Sequence, residues 1–88
     1  MRAISQLLQR ARIKENLSQA EVAKYLGYTS PQFISNMERG LSDLPVDKIN
    51  PLCKLLGISK DEVIKAMLVD LRADYKREIK KLERYQRE

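Results

Sequence analysis

Cys53 is the only cysteine of the chain and histidine does not occur, so the side chains that most often do covalent or metal chemistry are nearly absent. Without imidazole, and with a single thiol, neither the usual zinc ligand sets nor a Ser/His or Cys/His nucleophile pair can be assembled. Cys53 lies in the apolar stretch Leu52, Cys53, Leu55, Leu56, where an unpaired cysteine packs as a small hydrophobe. The Asp and Glu residues are scattered and read as caps or solvated charges. Gly27, Gly40 and Gly57 stand alone, so no phosphate-cradling loop is spelled. No cofactor or metal is expected, and enzymatic function is improbable. What remains is non-covalent recognition by groups that the chain must hold in place.

Short capped helices must position these groups. Ser18 starts one as N-cap, and Glu21 three residues on can return a bond to its N–H, the reciprocal arrangement of a capping box. That helix spans residues 19–26 and ends where Gly27 supplies a left-handed residue. Ser30 and Pro31 restart the chain, because proline at the first helical position lacks an N–H that would be unsatisfied anyway; the second helix covers 31–38 and stops at Gly40. Two helices joined so tightly cross steeply, as in the helix-turn-helix motif whose second helix enters the major groove of DNA.

Three further helices complete the reading. Residues 3–15 place Ile4, Leu7, Leu8 and Ala11 on one side at helical spacing, with Ile13 at its margin. Residues 41–50 read as a loop, with at most a turn of helix around Val46 to Ile49, since a start near Pro45 would put Pro51 inside a helix. Asn50-Pro51 then reads as N-cap and first residue of helix four, closed by Gly57. Ser59 and Glu62 repeat the capping box, and helix five begins at Lys60 with no glycine or proline to stop it.

The 88 residues allow one small domain, near the lower size limit for independent stability. Net charge is +5, which suits phosphate binding without establishing it. No apolar run approaches the length of a membrane span and no signal-peptide layout is present, so no membrane association is predicted and the chain is expected to be cytoplasmic.

The block from Ile4 to Leu68 resembles the Xre and Cro type, or lambda-repressor-like, helix-turn-helix family of phage and bacterial transcriptional regulators. LSQAEVAKYLG, ISNMERG and LCKLLGISKDEV carry the resemblance in the family's order and spacing. One departure is the turn GYTSPQFIS, one residue longer than the commonest form. The resemblance implies an all-α, five-helix domain over residues 1–68; residues 69–88 lie outside it and read, from their own periodicity, as a helical extension. It implies base contacts from Gln32, Phe33 and Asn36, with Ser35 at the border, opposite Ile34 and Met37 in the core. Gln and Asn can bond adenine N6 and N7, and Phe can pack on a thymine methyl; Phe33 could instead belong to the core. Gln19, Ser30 and Thr29 would contact phosphate, joined by Arg39 and Lys48, with Arg10 and Lys14 as further basic candidates. Arg12 and Glu38 are implied to be a structural ion pair tying helix one to helix three.

Along helix five, Ile64, Met67, Leu68, Leu71, Tyr75, Ile79, Leu82 and Tyr85 gather on one side at about 100° per residue. The spacing breaks a strict heptad near Tyr75, which argues against a long regular coiled coil. Leu68, Leu71, Tyr75, Ile79 and Leu82 form a seam for a homodimer or a protein partner, the alternative being a solvated extension. Asp70, Asp74 and Glu78 on one flank, against Arg72, Lys76 and Lys80 on or toward the other, favour a parallel pair. A basic tail lying on DNA is disfavoured, because seven basic against five acidic residues leave 69–88 only +2. The functional expectation is a DNA-binding repressor, dimeric on a short palindromic operator in double-stranded DNA. An autoregulating antitoxin of a toxin-antitoxin pair, or an interaction module with a non-reading motif, are the alternatives.

Overall fold

The computed structural model describes residues 2–87 as five helices. They are α1 (Ala3–Lys14), α2 (Gln19–Tyr25), α3 (Gln32–Glu38), α4 (Val46–Leu56) and α5 (Lys60–Arg87). Among the described residues there is no strand, and no helix is long and apolar enough to cross a membrane. One core gathers Ile4, Leu8 and Ala11 of α1, Val22 and Ala23 of α2, Ile34 and Met37 of α3, Leu52, Cys53 and Leu56 of α4, and Val63 of α5. Each fully buried aliphatic side chain contributes about 1.5–3 kcal/mol.

Helix ends are closed by backbone geometry. At Gly27, with φ of 84°, the Tyr28 N–H bonds to the Ala23 carbonyl at 2.9 Å and the Gly27 N–H to that of Lys24 at 3.1 Å, the crossed pair of a Schellman stop. Asn16 closes α1 in the same way at φ 58°, the Leu17 N–H reaching the Arg12 carbonyl at 3.1 Å. The Ser18 capping box forms in both directions, and the bond from the Ser18 N–H holds the Glu21 carboxyl below its ordinary pKa.

Helix four departs from the sequence reading. It starts at Val46, one turn before the predicted Asn50-Pro51 start, and carries Pro51 inside. Pro51 is the sixth residue of this helix, past the first turn, whose N–H groups lack intrahelical partners in any helix. Pro51 therefore forgoes a single bond, to the Asp47 carbonyl, just after that unpaired turn. Burial of Leu52, Cys53 and Leu56 along the same helix outweighs it.

Asp70 is the second departure. Predicted on an exposed flank, it is 7% exposed and caps another helix. Its Oδ1 accepts from the Ala3 N–H at 2.7 Å and its Oδ2 from the Ile4 N–H at 3.1 Å. Arg2, the residue before α1, supplies no capping side chain, and a carboxylate there meets both unpaired N–H groups and the positive end of the helix dipole. Arg2 Nε approaches Asp70 at 3.6 Å. Helix α5 thus passes unbroken through Leu68 while its next turn holds the start of α1.

Cys53 is 8% exposed, and burial pushes its thiol pKa up, with Lys60 opposing. A thiol reagent is expected to label the folded chain slowly and to follow unfolding as denaturant rises. Immediate stoichiometric labelling in buffer would contradict this packing.

Candidate nucleic-acid interface

Helices α2 and α3 cross over the core with Ile34 and Met37 buried at 3% exposure each, which turns the other side of α3 outward. There Gln32 Nε2 donates to Asn36 Oδ1 at 2.9 Å, and Arg39 donates to the same oxygen at 3.0 Å. Three predicted contact residues thus form one polar row. Ser35 and Asn36 are half-buried while Gln32 and Arg39 are exposed. Asn36 Oδ1 is the shared acceptor, which leaves its amide N–H groups available to a partner.

Phe33 does not stand free. Its ring stacks on Tyr28 across the turn, with centroids 4.7 Å apart and planes at 26°, and both rings pack against the core. Lys48 Nζ lies 5.3 Å from the Tyr28 centroid and donates to the Leu26 carbonyl at 3.0 Å, satisfying the carbonyl end of α2. Burial, with Asp47 adding to it, raises the Tyr28 phenol pKa. Thr29 and Ser30 are exposed at the tip of the turn; Ser30 Oγ accepts from the Gln32 N–H at 3.4 Å. The longer turn therefore carries an aromatic stack pinned by a lysine. The sequence signal for it was two aromatics, Tyr28 and Phe33, either side of the restart at Ser30-Pro31.

Arg12 and Glu38 meet in a bidentate pair, Nε to Oε2 at 2.7 Å and NH2 to Oε1 at 3.0 Å. Arg12 also donates to the Leu17 carbonyl at 2.8 Å. Gln19, read as a phosphate contact, directs its Nε2 to Glu38 Oε1 at 3.1 Å, so its amide braces this pair and its backbone N–H remains at the start of α2. Arg10 and Lys14 are exposed on α1. The seam residues Leu68, Leu71, Tyr75, Ile79 and Leu82 are all more than half exposed and lie apart from the α2–α3 unit.

Comparison with known proteins bears on the family and the fold. No curated protein matches the chain. Among solved structures it is similar to the clp gene regulator ClgR from Corynebacterium glutamicum, with 21% identity and a TM-score of 0.64 over 96% of this chain and 89% of that one. It is also similar to the restriction-modification controller protein C.Esp1396I, again at 21% identity, with a TM-score of 0.59 over 75% of this chain and 91% of the other. These likenesses concern the fold, which is the all-α lambda-repressor-like one. The family model described as Helix-turn-helix (HTH_3) matches residues 8–63, most of the chain and all of the α2–α3 unit, and the protein belongs to that family.

Proposed function

We propose that this protein is a sequence-specific DNA-binding transcriptional regulator, a repressor that occludes promoter DNA in the cytoplasm as a dimer on a short palindrome. The observation that carries the reading is the polar row Gln32, Asn36 and Arg39 turned outward by the buried Ile34 and Met37. Gln32 and Asn36 offer amides to adenine, Ser35 adds a hydroxyl, and the exposed edge of the Phe33–Tyr28 stack suits a thymine methyl. Gln19 through its backbone N–H, Thr29, Ser30, Arg39 and Lys48 surround this row as phosphate contacts.

The apolar stripe of α5 supports a dimer. Ile64, Leu68, Leu71, Tyr75, Ile79 and Leu82 are each at least half exposed, a surface that monomers seldom leave in water. Its first half lines an apolar groove of about 710 Å³ with Ile4 and Leu44. The second half cannot reach that groove in its own chain, because α5 is one continuous helix. A second copy lying antiparallel about Tyr75 fills it, setting Leu71 on the partner's Ile79 and Leu68 on the partner's Leu82 in an isologous contact. The flank charges that favoured a parallel pair have less force: Asp70 is buried, while Asp74 pairs with Arg77 and Glu78 with Lys81 on the same helix.

Selection from random duplexes tests the reading. Enrichment of a palindrome containing A/T pairs is expected, with half-site centres about one helical turn apart. In that site Asn36→Ala should relax preference at one position per half-site by about 1–3 kcal/mol. No enrichment would overturn it.

A further inference from the structure

The side of α5 that packs inward does not end where the domain ends. Val63, Ala66 and Asp70 face the core. At about 100° per residue the same side continues through Ala73, Arg77, Lys80, Lys81 and Arg84, all exposed. Of the acids of the extension, Asp74, Glu78 and Glu83 fall outside that arc and Asp70 is spent on the start of α1, so between Ala73 and Arg84 a net charge of only +2 over 69–88 conceals a basic face. Asp74 and Glu78 touch it from the side, pairing with Arg77 and Lys81. Among the described residues no carboxylate pairs with Lys80 or Arg84.

This face begins at the candidate interface. Arg39, which donates to Asn36 at the end of α3, shares one hollow of about 330 Å³ with Arg2 and Arg77, whose charges Asp70 and Asp74 on the same wall partly offset. From Arg77 to Arg84 the cations advance about 10 Å along the helix, close to the rise of three base pairs. The apolar stripe lies on nearly the opposite side, so pairing two copies through it leaves the basic face open.

We infer that the Arg77, Lys80, Lys81 and Arg84 face of α5 is a second phosphate-contact surface, which engages the backbone of duplex DNA flanking the site read by α3. The inference rests on the DNA-binding reading above. It favours duplex over an acidic protein because the face is continuous with Arg39 and carries no apolar anchor of the kind protein interfaces centre on.

The test uses the full chain, its selected palindrome on a duplex ending at the half-sites, and the same palindrome extended by one turn on each side. Wild type is expected to bind the extended duplex more tightly. Lys80→Gln with Arg84→Gln should abolish that advantage, leave the short duplex unchanged, and make the slope of log K against log salt shallower by about 2 per protomer. Lys80→Arg with Arg84→Lys should keep the advantage. Equal length advantage and salt slope in the Gln variant and wild type would overturn this second surface alone. Wild type that binds neither duplex would overturn it together with the DNA-binding reading.

Discussion

Arg12→Ala is expected to unfold the domain rather than merely weaken its hold on DNA. Glu38 is 3% exposed and its carboxylate is held by both Nε and NH2 of Arg12. Truncating Arg12 leaves that charge buried with only the Gln19 amide, and orphans the Leu17 carbonyl that NH1 had satisfied. Breaking one side of a buried pair costs about 3–5 kcal/mol, a large share of the 5–15 kcal/mol that holds a typical domain together. At about 4–8 °C per kcal/mol for this size, the melting temperature followed by circular dichroism should fall by at least about 12 °C. A transition unchanged from wild type would refute the structural role. Arg12→Met combined with Glu38→Leu separates charge from shape: replacing both partners with apolar groups is often neutral, so the double variant should regain most of the loss.

The same pair marks how much could be read from residue order. Local closures were legible, because Ser18 with Glu21, and Gly27 after Leu26, satisfy helix ends through atoms a few residues away. Pro51 misled because proline at N1 and proline one turn later look alike in sequence; burial of Leu52, Cys53 and Leu56 decides between them. Asp70 was opaque for a different reason. Its partners Ala3 and Ile4 lie at the opposite end of the domain, and the only local hint was that α1 starts without a capping residue of its own. In the candidate site, the outward amides followed from the helical period. The Tyr28–Phe33 stack and the Lys48 bond to Leu26 did not, since both depend on how α4 packs beside the turn.

Leu71→Glu with Ile79→Glu should separate dimerisation from reading. Both positions are 51% exposed, so each side chain can carry a charge in the monomer at little cost to the fold. In the antiparallel pair Leu71 meets the partner's Ile79 twice by symmetry, and the variant buries four like charges that the seam cannot pair. Solution mass is expected to drop from dimer to monomer. Operator affinity should fall on the order of 10²–10⁴-fold, because the second half-site no longer binds as an intramolecular event. A duplex holding one half-site should bind variant and wild-type protomers alike, which shows that α3 remains intact. The melting temperature should lose its dependence on protein concentration, since association no longer stabilises the folded state. Orientation is read separately: on a Cys53→Ser background, Tyr75→Cys at the dyad should cross-link two copies on oxidation, while Ile79→Cys should not. Cross-linking through Ile79→Cys would indicate the parallel pair, and a variant that keeps the dimer mass with both glutamates would remove α5 from the seam altogether.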